Sequence, residues 1–301
     1  MNPEICLVII FNHRYEKNLP LLRKLYSGRF SNVVFVMPFY TGDSPDVVSV
    51  YESSYQFQGY IAQAYPKIAS ERFSHYVFAG DDLILNPEID ERNLLGLLGV
   101  GEGDAYIESL TALNRINFWS YERFFDAHSA FAQLGANYRG EIPPYEEAKK
   151  SAEAHGLRDY SVTSSVRHAR IPIRRVRGNL YQASCKLFKP IRIDYPLVTG
   201  YSDFFVLPKE RFDSIAHLFG VFAAMRLFVE IAIPTAMMLT YDARHLKTQA
   251  DAKILTPKLW HVTDAAKNFG TACQFQLSNI EKCFPKDYAY LHPVKLSGWK
   301  E

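Results

Sequence analysis

Apolar positions in the first third of the chain come in unbroken runs rather than in alternation. "ICLVIIF" (5–11) and "NVVFVMPFY" (32–40) are continuous and rich in β-branched residues, the pattern of strands covered on both faces. Between them, "NHRYEKNLPLLRKLYSGRF" sets Leu19, Leu22 and Leu25 at near-helical spacing, with Gly28 as the stop. "DVVSVYE" (46–52) predicts a short third strand. "SSYQFQGYIAQAYPKIAS" predicts a helix capped by Ser53 or Ser54 and weakened by Gly59. "HYVFAGDDLIL" (75–85) predicts the next strand. Strands alternating with helices predict an α/β chain built on a mainly parallel, doubly wound sheet. Such sheets bind ligands at the carboxyl ends of their strands. Residues 11–14, 38–40 and the pair Asp81 and Asp82 all fall at such ends.

The pattern changes after residue 113. Residues 114–165 are aromatic and charged with weak periodicity, and predict two helices joined through 140–144. Next, "VRHARIPIRRVRGNLYQ" gathers Arg167, Arg170, Arg174, Arg175 and Arg177 within eleven residues, and "RIPIRRVR" alternates like an edge strand. This stretch reads either as a solvated basic surface or as a docking site for a phosphate-bearing acceptor or an anionic membrane surface. Regular patterning returns at 195–245, where Gly200 precedes Ser202 and Asp203, then a short strand "FFVLP" and a helix carrying Ile215, Leu218 and Phe219. A further helical run, about 222–239, holds Glu230 among Leu227, Phe228, Val229, Ile231 and Ile233. A carboxylate in that setting is costly if buried alone. It either pairs with Arg226 four residues earlier or is poised for chemistry.

Composition narrows the class. With 301 residues, 48% hydrophobic and 14% aromatic, the chain can bury one large core or two modest ones. A net charge of +2 supplies no field that calls for nucleic acid. Four cysteines, Cys6, Cys185, Cys273 and Cys283, form no CxxC pair, which predicts a reducing compartment without a disulfide framework or zinc knuckle. The N-terminus has neither a basic leader region nor a small-residue cleavage site. The longest apolar stretch, 218–240, is broken by Arg226, Glu230 and Pro234 and is not a membrane span. A cytoplasmic protein, with a basic face able to meet the inner membrane surface, is expected.

Asp81 and Asp82 carry the sharpest chemical signal. Two like charges between buried strand segments destabilise the fold unless a positive group faces them. A divalent cation is one answer and a solvated turn is the other.

The order of features resembles the GT-A glycosyltransferases. "VIIFNHRYEKNLPLLRKLY" is similar to their opening strand and helix, which hold the nucleotide base. "VFAGDDLIL" resembles their Asp-x-Asp region, in the x-Asp-Asp form of the exostosin-type enzymes. "GYSDFFVLPKERFDSIAHLFG" followed by "FVE" resembles the acceptor-side block that ends in the carboxylate binding or deprotonating the acceptor hydroxyl. The resemblance covers about residues 5–110 and 195–265, and departs from the strict pattern at Gly80 and at Glu230–Ile231, where a Glu-Asp pair is common.

The resemblance implies a single GT-A-like domain over 1–301. Residues 1–113 form the nucleotide-sugar half, 114–190 a helical and basic insertion, and 191–301 the acceptor-side half. It implies transfer of a sugar from a nucleoside diphosphate, UDP by default, to a glycan or lipid-linked acceptor in cell-surface polysaccharide synthesis. Mn²⁺ or Mg²⁺ would be the cofactor, because hard carboxylate oxygens hold a cation that neutralises the leaving diphosphate. Asp82 is the expected metal ligand and Asp81 a ribose contact, with His261 or His245 as a third metal ligand. Phe11, Asn12, Arg14, Phe39, Tyr55 and Gln58 are expected around the nucleotide, and Glu230 or its rival Asp203 as the base. A nucleotidyltransferase is a second reading, although "FNHRYEKN" lacks the glycine-rich phosphate loop such enzymes use. A nucleotide-binding protein with a degraded site is the third.

Overall fold

The structure, a computed structural model, describes residues 4–113, 140–158, 162–163, 192–256 and 263–300, together with Ala127, Phe131 and Tyr138. Most of the 114–190 insertion, its five arginines and His261 lie outside the described residues.

The strands are β1 (Glu4–Ile10), β2 (Val33–Pro38), β3 (Val47–Val50), β4 (Phe73–Gly80), β5 (Ile84–Leu85), β6 (Ala105–Ile107) and β7 (Thr111–Ala112). They continue with β8 (Val162–Thr163), β9 (Arg192–Ile193), β10 (Val198–Thr199), β11 (Phe204–Pro208), β12 (Leu246–Lys247) and β13 (Tyr290–Leu291). The helices are α1 (Leu19–Tyr26), α2 (Phe57–Ile68), α3 (Leu94–Leu98), α4 (Tyr145–Ala154), α5 (Phe212–Ala224), α6 (Val229–Thr240), α7 (Thr263–Ala272) and α8 (Ile280–Cys283).

Among the described residues the main sheet has seven strands in the order β12-β6-β11-β4-β1-β2-β3. Every pairing is parallel except those of β11, which runs antiparallel to both β4 and β6. The chain is therefore α/β with a mostly parallel mixed sheet flanked by helices, as the unbroken apolar runs predict. β1 shows why those runs are unbroken. Cys6, Val8 and Ile10 face one core with α2 and α5, while Ile5, Leu7 and Ile9 face the other with α1 and the C-terminal segment. Both faces are dry from Ile5 onward, so every position from Ile5 to Ile10 is apolar.

Two expectations about helices change. Gly59 has a packing role in α2. A Cβ there would lie 2.8 Å from the Ala223 methyl, so its absence lets α2 and α5 pack closely. The predicted run over 222–239 is broken into two helices. α5 closes with Arg226 N–H on Ala223 O (2.8 Å) and Leu227 N–H on Phe222 O (2.9 Å), with Arg226 in the left-handed region at φ 61°. The turn folds α6 back against α5 and buries Leu227 completely. It also directs Arg226 to Glu52, at 3.1 Å, on the loop before α2.

Candidate active site

β1 and β4 are neighbours, yet the chain builds β2 and β3 on the far side of β1 before returning to β4. That reversal opens a crevice between their carboxyl ends, the place where open α/β sheets bind ligands. Register puts Ile10 opposite Gly80, so the two strands end together. Asp81 N–H donates to Ile10 O (2.9 Å), and Asn12 N–H donates to Asp81 Oδ1 (3.1 Å). The nearby Asn18 side chain favours the ionised form of the Asp81 carboxyl. Asp81 is only 4% exposed and faces inward as a brace between the two strand ends, which does not suit the expected ribose contact. Asp82 is the partly exposed member of the pair.

The remaining groups come from distant parts of the chain. β11 pairs with β4 so that Phe204 lies opposite Ala79, and Gly80 N–H donates to Asp203 O (3.0 Å). Asp203 is thus set beside position 80. A Cβ on Gly80 would stand 3.2 Å from Asp82 Oδ1 and 4.0 Å from Asp203 Cβ. Position 80 itself carries no side chain, and the nearest carboxyl-bearing neighbours are Asp82 and, from the segment leading into β11, Asp203. β13 pairs with β5, Leu291 opposite Ile84, which delivers the next residue, His292. Its Nε2 lies 3.0 Å from Asp82 Oδ1, and Val294 N–H donates to Asp82 O (2.7 Å). The other ring nitrogen, Nδ1, is buried with no hydrogen-bond partner.

These groups perturb one another. Burial, and then the charge of Asp82, push the Asp81 carboxyl up to about 7. Burial also raises Asp203, with His292 opposing the shift and Asp82 adding to it. Burial acts to lower His292, but its bond to Asp82 and the charges of Asp203, Asp82 and Asp81 outweigh it, and its affinity for a proton rises. The cluster therefore brings together two carboxyls, Asp81 and Asp203, and an imidazole, His292, whose proton affinities are all raised.

The donor types suit a hard divalent cation: carboxylate oxygens on Asp82 and Asp203, and an imidazole nitrogen on His292. Among the described residues, no group of three or more His, Cys, Asp or Glu side chains is arranged to hold a metal ion by itself. A cation held here would take its remaining ligands from a bound molecule. The sequence reading did not name His292; of the two histidines it named, His261 lies outside the described residues. His245 instead bonds Asp104 Oδ1 (2.8 Å) at the amino end of β6, across the sheet from Asp82.

The expected nucleotide contacts divide. Phe11 is fully buried, because its N–H still donates to Val36 O (2.9 Å) and its side chain stays on the inner face with Leu7 and Ile9. Gln58 is fully buried under the α5–α6 turn, donating to Leu227 O (2.7 Å). Neither can meet a base at the surface. Phe39 and Tyr55 are 52% and 53% exposed, and Tyr51, unremarked in the sequence, is 67% exposed. The Phe39 and Tyr51 rings meet edge to face at 5.9 Å. Phe39 adopts φ 57°, a left-handed conformation costly for a bulky residue, which ends β2 and turns its ring outward. Arg14 braces that turn, donating to Phe39 O (3.2 Å) and Thr41 Oγ1 (2.8 Å) while pairing with Glu16. Asn12 Nδ2 reaches Asp82 Oδ1 at 3.5 Å. Glu230 lies in the first turn of α6, and its carbonyl accepts from Gly200 N–H (3.3 Å), beside the segment that leads to Asp203.

A scan against family models, a search of curated proteins and a search of solved structures each found no match to this chain. Among the described residues, no helix is long and apolar enough to cross a membrane.

Proposed function

We propose that this chain is a metal-dependent glycosyltransferase of GT-A type, moving a sugar from a nucleoside diphosphate to a glycan or lipid-linked acceptor. The observation that carries the reading is the meeting of Asp82, Asp203 and His292 at the crevice between β1 and β4. Asp82 and His292 would hold Mn²⁺ or Mg²⁺, which when bound stabilises the charge left on the departing diphosphate. The exposed ledge formed by the paired rings of Phe39 and Tyr51 would offer stacking faces for a base, with Tyr55 as a further exposed ring and Asn12 beside Asp82. Arg14 serves as the brace of that ledge. Asp203 is the better-placed base, since its raised proton affinity suits proton abstraction and it adjoins Asp82, while Glu230 borders the acceptor side. The arginine-rich segment would add contact with a phosphate-bearing acceptor or an anionic bilayer, and flotation with anionic liposomes tests the bilayer contact.

The deciding experiment is calorimetric titration of UDP, with GDP and CMP as controls, in Mn²⁺ and then in EDTA, on wild type and Asp82→Ala. Metal-dependent binding of one nucleotide, lost in the variant, supports the reading and names the base. Failure of every nucleotide to bind reduces the aspartate pair to a solvated turn and ends the proposal.

A further inference from the structure

The C-terminal segment contains a thiol pair that the site chemistry does not use. Cys273 follows the last residue of α7 and is fully buried, in the same core as Phe269, Phe284, Leu291 and Trp299. Cys283 ends α8, is partly exposed, and packs against that core. Its Sγ donates to Ala272 O at 3.4 Å, the carbonyl immediately before Cys273. The connecting turn is tight, with Gln274 at φ 55° and Phe275 at φ 53°, so the two helix ends are brought back upon each other.

We propose that Cys273 and Cys283 form a reversible disulfide that clips α7 to α8. The oxidant required is a small-molecule disulfide of the glutathione type. The Cys283 thiolate attacks one sulfur of that disulfide, forming a protein mixed disulfide and releasing one small thiolate, which takes a proton from water. Cys273 then attacks the Cys283 sulfur, forming the internal bond, while its proton passes to the departing small thiolate, which leaves as the second small thiol. Two protein thiols and one small disulfide become one protein disulfide and two small thiols. Exposure sets this order: Cys283 is the thiol an outside reagent can reach. Burial and the neighbouring Cys283 thiol push Cys273 up to about 12, so it reacts second, once a leaving group is held beside it. From α8 the chain passes through β13 to His292, so the clip would fix the wall that carries His292 to Asp82. This inference does not rest on the proposed activity.

The test is treatment of the intact wild-type chain with oxidised glutathione, followed by intact mass and peptide mapping without reductant. The expected result is a loss of about 2 Da, one cross-linked peptide joining positions 273 and 283, and full reversal by dithiothreitol. Cys273→Ser should instead stop at the mixed disulfide, gaining about 305 Da on Cys283. A wild-type chain that keeps the glutathione adduct, links either cysteine to Cys6 or Cys185, or does not react overturns the proposal. The wild-type map decides the matter even where the variant does not fold.

Discussion

Asp81→Asn should make this protein more stable at alkaline pH while removing an acidic group from the crevice. The Asp81 carboxyl is held at about 7 in the folded chain and has an ordinary value of 3.8, so its ionisation opposes folding. The direction follows from linkage. The unfolded chain releases this proton near 3.8 and the folded chain only near 7, so stability drains away as pH rises through that window. At about 1.4 kcal/mol per tenfold change in proton affinity, the loss above pH 7 is about 4 kcal/mol. Asparagine has the same shape and keeps an oxygen to accept the Asn12 N–H, but loses one of the two acceptor oxygens. Allowing about 1 kcal/mol for that loss leaves a gain of roughly 3 kcal/mol at pH 8. At pH 4.5 the gain shrinks to roughly zero by the same arithmetic. Urea unfolding of both proteins at pH 4.5, 6 and 8, in EDTA, measures it. A variant less stable than wild type at pH 8, or a difference independent of pH, refutes the account of Asp81 as a carboxyl confined by burial and by Asp82.

Three further substitutions test the neighbouring geometry. Gly80→Ala should keep the fold within about 1 kcal/mol, yet weaken nucleotide binding roughly tenfold by calorimetry, because its methyl stands 3.2 Å from Asp82 Oδ1. Gly200→Ala should be far more damaging. Its methyl would meet the Ser109 carbonyl at 2.3 Å, and overpacking against backbone of about 3 kcal/mol should lower the midpoint in scanning calorimetry by several degrees. Tyr51→Ala should leave stability within about 0.5 kcal/mol, since its ring is 67% exposed, while nucleotide affinity falls several-fold for a base stacked on the ledge.

The parallel sheet was legible because burial on both faces leaves a signature that needs no partner: the runs at 5–11 and 32–40 are apolar throughout. Asp81 and Asp82 were legible for the same reason, as charges interrupting such a run. The other half of the cluster was less so. Asp203 was legible as a candidate base, but its place beside Asp82 comes only through the antiparallel register of β11 against β4, which sequence spacing does not encode. His292 follows a two-residue strand, too short to show any period, and meets Asp82 across 210 positions. The faint signal was a histidine closing the apolar "YAYL" stretch, itself another strand end. Phe11 misled because the last residue of a run can belong to the ladder or to the loop, and here its N–H on Val36 O keeps it in the ladder. Gln58 misled because polar residues at a helix start are usually solvated, whereas this one satisfies the carbonyl of Leu227 inside the α5–α6 turn.

The bonds that assemble the crevice, Asn12 to Asp81 and Asp82 to His292, span sequence separations from 69 to 210 residues. Contacts that distant close slowly, since the loop entropy is lost before the contact repays it. A chain emerging from synthesis can complete β1 and β4 long before His292 exists to reach Asp82. Ligand capture at this crevice should therefore be among the last properties a refolding chain regains, later than the helical signal of α1 and α2, which would make it a reporter of completed folding.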